Sequence, residues 1–191
     1  MKRILKVLFV NLLWLLFSLP VVTVGAATCA AFYVTMKIVD NEDKNIFLMF
    51  WKGFKENFKQ GTVMWAFTAP CIYAAYLLWG LVVVDDEFNY LVMIGAVLYT
   101  LLIAVIIVYA YPLIARYKNS LRNIVKNAVG VTMAYIKSTL FILMLVGLEC
   151  AFIFWNQYTM FAGLSFGPGL IIYTISMVAK RSFQKIERDN S

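Results

Sequence analysis

The 191-residue sequence contains no histidine. That absence excludes Ser–His and Cys–His nucleophilic catalysis, histidine-ligated metals and a histidine pH switch. Charge is also scarce, at 14% of residues against 63% hydrophobic. A soluble domain carries about 25% charged residues, so a water-soluble globular enzyme is excluded. The three cysteines, Cys29, Cys71 and Cys150, stand far apart in apolar surroundings and form no CxxC pair. They read as small packing residues and not as a zinc or redox site. No catalytic, cofactor-binding or metal-binding residues are assigned. The net charge of +7 invites a nucleic-acid reading, but basic loops on a membrane protein have another cause, retention on the cytoplasmic side.

What is present is a run of long apolar segments. The expected fold is all-α: one membrane domain, 1–191, built as a polytopic transmembrane helical bundle with cytoplasmic amphipathic helices. Four segments are each long enough to cross a bilayer: 62–84, 90–113, 131–155 and 160–179. The first apolar stretch, 4–39, would be about 54 Å long as one helix, too long for one crossing. Pro20 and Gly25 interrupt it, and a proline kinks or ends a helix. Counting Lys and Arg puts the connections 40–60 and 114–130 and the C-terminal tail in the cytoplasm. Lys2, Arg3 and Lys6 pull the N-terminus to the same side. Both ends of 4–39 are then inside only if the segment enters and returns. The expectation is an N-terminal helical hairpin or re-entrant pair turning at Pro20–Gly25, uncleaved, with both chain termini cytoplasmic.

The most patterned piece is 44–60. At 100° per residue Ile46, Phe47, Phe50, Trp51, Phe54 and Phe58 share one arc, and Lys52, Lys55 and Lys59 share the next. That is an amphipathic helix of the kind that lies in the headgroup plane. Gly61 is expected to mark the turn into the following span. A weaker example follows at 121–132, with Arg122 and Lys126 beside an apolar face. Either helix can bury its apolar face in lipid or in a protein groove, so these residues are candidates for interfacial anchoring or partner docking.

Polar groups inside membrane segments are costly unless paired. Asn11 and Glu149 are the candidates here. Asn11 can bond across to a neighbouring helix. Glu149 can reach water at an outer helix end or contact a partner. Ser18, Thr23 and Thr28 are placed to satisfy backbone groups freed by Pro20. Pro70 and Pro112 are expected to kink their helices, and Gly167-Pro168-Gly169 to break the last span. Asp85-Asp86-Glu87 reads as a solvated acidic turn that could hold a cation loosely.

Three blocks carry a family resemblance: Asn11-Leu12-Leu13-Trp14 with Leu19-Pro20-Val21-Val22-Thr23-Val24-Gly25, then Phe50-Trp51-Lys52-Gly53-Phe54-Lys55-Glu56-Asn57-Phe58-Lys59-Gln60, then Arg116-Tyr117-Lys118-Asn119-Ser120 with Lys126-Asn127-Ala128. Together they resemble the YesL-like bacterial membrane family, catalogued as a domain of unknown function. The family often has proline after the glycine, where this chain has Ala26. The resemblance implies the bacterial plasma membrane and an accessory or assembly subunit of an ABC-type carbohydrate importer, bound to its permease subunits. It brings no catalytic residues. The alternative is a stand-alone small-solute transporter or channel, which at this length would work as a homo-oligomer. Membrane lipid is a partner in either case, and nucleic acid in neither.

Overall fold

The computed structural model describes residues 2–42, 44–84 and 87–189. Seven α-helices carry the fold: α1 (Lys2–Ser18), α2 (Val24–Val39), α3 (Ile46–Gly80), α4 (Tyr90–Arg116), α5 (Leu121–Ala134), α6 (Ile136–Ile153) and α7 (Gln157–Asp189). A 3-10 turn at Val21–Thr23 joins α1 to α2. Among the described residues four stretches are long and apolar enough to cross a membrane: Val21–Val39, Ile46–Gly80, Tyr90–Arg116 and Ile136–Ile153. The chain is an all-helical membrane protein.

The stretch 4–39 folds back on itself. Pro20 is extended and begins the 3-10 turn. Thr23 Oγ1 lies 2.5 Å from the carbonyl oxygen of Phe17 and 2.7 Å from that of Pro20, so its one proton is shared between them where the chain reverses. Thr28 bonds Val24 O and accepts from Trp14 Nε1 at 3.0 Å, tying α2 to α1. Ser18 takes no part, since its hydroxyl is buried without a partner. At the far end Arg3 donates to Asn41 Oδ1 at 2.7 Å, so the start of α1 meets the end of α2.

α2 is the centre of the bundle and packs on α1, α3, α4 and α7. Its residues Gly25, Ala26, Ala27, Cys29, Ala30 and Ala31 are buried. Such small side chains let neighbouring backbones come close. The expected turn at Gly61 does not exist. The amphipathic segment and the following span form one continuous helix, α3, of 35 residues. Gly61 is instead the crossing point with α2. A Cβ there would sit 2.8 Å from Ala26 Cα, and one on Gly25 would sit 2.1 Å from Gly61 O. The glycine is needed for close approach, not for a bend.

Three other boundaries move. α3 ends at Gly80, and Val83–Val84 pairs antiparallel with Glu87–Phe88 before α4. Asp85 and Asp86 of the acidic turn lie outside the described residues. The expected span 131–155 is divided: Val131–Ala134 closes α5, Tyr135 leaves helical geometry (φ −123°, ψ 45°), and α6 starts at Ile136. Gly167-Pro168-Gly169 does not break the last helix, which runs unbroken as α7. Asn11 of α1 accepts the Gly169 N–H at 2.8 Å beside that proline. Helices α3 and α4 likewise continue through Pro70 and Pro112.

Candidate docking surfaces

The lysine-bearing half of α3 is divided between the interior and the surface. Phe50, Gly53 and Phe54 are buried. Phe17, at the end of α1, meets Phe50 at 5.3 Å and Phe54 at 5.0 Å between ring centroids. The apolar face is therefore not wholly available to lipid or to a partner, because the N-terminal hairpin covers part of it. Phe47, Trp51 and Phe58 remain exposed, as do Lys52, Lys55 and Lys59. Trp51 stacks on Phe54 at 6.0 Å and 9°, and the Lys55 ammonium sits 4.6 Å from its ring centroid. Phe58 leans edge-on against Phe54 at 5.5 Å. Lys52 lies 4.0 Å from Glu56 in an exposed i,i+4 pair. The result is a fixed ridge of aromatics flanked by lysines.

The basic connections gather at one end of the bundle. Gln60 donates to Asn119 O at 2.7 Å, linking α3 to the α4–α5 connection. Arg116 grips Glu187 of α7 through both carboxylate oxygens at 2.9–3.1 Å, and the Tyr117 hydroxyl donates to the same carboxylate at 2.5 Å. Arg116 and Tyr117 together hold the Glu187 carboxyl below the ordinary carboxylate range. Burial, then the bond to Glu187, pushes the Tyr117 phenol up to about 12. Lys180, almost fully buried on α7, forms an ion pair with Asp40 at the end of α2 and reaches Met36 O at 3.4 Å. Nearby, Thr35 and Ser176 share a buried hydroxyl contact of 2.6 Å. Of the α5 candidates, Arg122 and Lys126 are both exposed.

Glu149 lies on α6 facing α7. Its Oε1 accepts from Thr174 Oγ1 at 2.6 Å, while Oε2 is buried and has no partner among the described residues. It lines a cavity of about 430 Å³ with Phe152, Ile153, Tyr158, Phe166 and Leu170. Cys29, Cys71 and Cys150 are free thiols. Among the described residues no group of Cys, Asp and Glu is placed to hold a metal ion.

Sequence reading missed several of these positions. Phe17 carried no signal beyond its hydrophobicity. Asp40 sits at the end of α2 and Lys180 just past the expected end of the last span, where charge ordinarily faces solvent. Tyr117 and Glu187 are seventy residues apart, and only the packing of α4 on α7 brings them together. Asn11 was singled out as an interhelical bond, but its acceptance of the Gly169 N–H could not be read from spacing.

Residues 7–79, from α1 to the last turn of α3, match the family model described as a protein of unknown function, DUF624. No curated protein and no solved structure matches the chain.

Proposed function

We propose that this protein is a non-catalytic subunit of a bacterial plasma-membrane complex, acting through helix docking with both termini in the cytoplasm. The ridge on α3 carries the reading. Trp51 is held by Phe17, Phe54 and Lys55 before any partner arrives. Pre-set tryptophans of this kind contribute most of the energy at protein interfaces, because little side-chain freedom is lost on binding. Lys52, Lys55 and Lys59 beside it suit an acidic or helix-C-terminal partner surface. The partner class implied by the family resemblance is the permease of an ABC-type carbohydrate importer.

The test is a mild-detergent pull-down from native membranes, read by mass spectrometry. Co-recovery of permease subunits, lost in Trp51→Ala and in the charge reversal Lys52→Glu/Lys55→Glu/Lys59→Glu, is the expected result. Retention of the same partners by both variants would remove the docking role of α3.

Glu149 favours a second reading, a stand-alone oligomeric transporter. A carboxylate oxygen left without a partner beside a cavity is the usual mark of a solute or proton path. Purified protein in liposomes should then move a small solute, and Glu149→Gln should stop it. Absence of flux across an oligosaccharide panel would reject this reading.

A further inference from the structure

A groove lined by none of the α3 ridge residues opens on another part of the molecule. It has a volume of about 930 Å³ and runs between the end of α4, α5 and the end of α7. Leu113, Val131, Phe183 and Ile186 form apolar walls. Lys118 and Lys126 stand among the lining side chains, and both are exposed. Glu187 also borders the groove, but Arg116 and Tyr117 occupy its carboxylate. The free charge offered to a ligand is therefore positive. Gly130 also lines the groove and is exposed, and a Cβ added there would meet nothing within 4 Å.

The position of the groove selects its occupant. α4 and α6 are both long and apolar enough to cross a membrane, and α5 bridges the end of one to the start of the other. The groove thus lies where spans meet the membrane surface. An apolar trough rimmed by lysines at that level matches an acyl chain attached to an anionic headgroup.

We infer that this groove is a binding site for one anionic phospholipid, with Lys118 and Lys126 on the phosphate and the apolar walls on the chain. The site is independent of partner docking on α3. Its occupant would join α4, α5 and α7 at an end where α5 and α7 make little direct contact.

The test uses the full chain in detergent and native mass spectrometry. The probes are phosphatidylglycerol and phosphatidylcholine with identical acyl chains. Wild type should retain phosphatidylglycerol in preference by about tenfold or more, the scale of two lysines at a membrane surface. Lys118→Ala/Lys126→Ala should bind both lipids without preference. Gly130→Trp should bind neither, with Gly130→Leu as a smaller plug if the tryptophan harms folding. All variants should elute as wild type by size exclusion. Equal retention of the two lipids by wild type would overturn the inference, as would an unchanged preference in the double variant. Displacement of the lipid by millimolar inorganic phosphate would show a free-anion site instead. A wild-type dimer that Gly130→Trp converts to monomer, with lipid retention unchanged, would show that the groove holds a second copy.

Discussion

α2 is gripped from two sides by different means. Towards α3 it presents glycine and alanine, and the two backbones come so close that Gly25 and Gly61 admit no side chain. Towards α7 it presents polar groups: Thr35 meets Ser176, and Asp40 and Met36 O meet Lys180. Asn11 of α1 adds its bond to the Gly169 N–H on the same side. In apolar surroundings helices gain little from hydrophobic burial, so packing and interhelical hydrogen bonds must supply association. Here each mechanism has its own interface. The difference teaches where the bundle is intolerant: the α2–α3 seam fails through volume, and the α7 join fails through lost partners.

The largest effect is expected at the seam. Gly61→Val or Gly25→Val forces two backbones apart, beyond the about 1–3 kcal/mol of ordinary overpacking. The expected outcome is loss of monodisperse protein by size exclusion in detergent. Gly95→Ala and Gly147→Ala are the counterparts, since a Cβ at either meets nothing within 4 Å. They should leave the thermal midpoint unchanged or raise it, because alanine is favoured over glycine in a helix by about 0.5–1 kcal/mol. A Gly61→Val protein as stable as wild type would remove the seam from the comparison.

The α7 join should break next. Asp40→Asn leaves the Lys180 ammonium buried without its counter-charge. The expected cost is about 3 kcal/mol, at the lower end for a buried pair because Asp40 is 32% exposed. Asp40→Asn/Lys180→Met should recover much of that loss, which a double-mutant cycle on thermal midpoints would measure. A double-variant loss equal to the sum of the losses in Asp40→Asn and Lys180→Met alone would mean that the pair is not coupled. Asn11→Leu is milder. It strands the Gly169 N–H beside Pro168, at about 1–2 kcal/mol, and should loosen α7 against α1. Amide exchange at Gly169 would report it directly, and an unchanged exchange rate would show that the bond contributes nothing.

These interfaces mark the limits of what the sequence shows. The reversal of 4–39 was legible as the favoured reading, because Pro20 interrupts the stretch and basic residues stand at both of its ends, although a single crossing with the N-terminus outside fitted the same residues. The apolar arc of 44–60 was legible as a covered face, but periodicity does not say what covers it. Phe50 and Phe54 face Phe17, a contact set by the hairpin and not by α3. Gly61 was misread for a related reason: a turn glycine and a close-packing glycine look the same in one chain. The break at Tyr135 carries neither glycine nor proline, so α5 and α6 merged in the reading. Pro168 should have ended a helix on local grounds, yet α7 continues past it with the Gly169 N–H donated to α1. At Gly61 and at Pro168 a tertiary contact overrode the local signal. For the candidate site, the exposed lysines of α3 and α5 were legible, and the groove between α5 and α7 was not.

The smallest expected effect sharpens the comparison at its polar end. Arg116 and Tyr117 lower the pKa of the Glu187 carboxyl. Its contribution to stability is then fully present above the ordinary carboxylate range and is lost as pH falls through the lowered value. Glu187 is 45% exposed, so solvent screens the pair and the contribution stays below about 1 kcal/mol. Tyr117, pushed up to about 12, keeps its proton throughout the neutral range and goes on donating. Wild type should therefore melt slightly above Glu187→Gln from pH 6 to pH 9, by a constant margin. The margin should shrink as pH falls below the ordinary carboxylate range and close below the lowered value, where the wild-type carboxyl takes up its proton. The seam between α2 and α3 contains no titratable group at Gly25 or Gly61, so any acid sensitivity that survives in Glu187→Gln cannot arise there. A margin that persists in acid once the Glu187 carboxyl is protonated would show that Glu187 acts by packing and not by charge, which would make the α4–α7 contact resemble the seam.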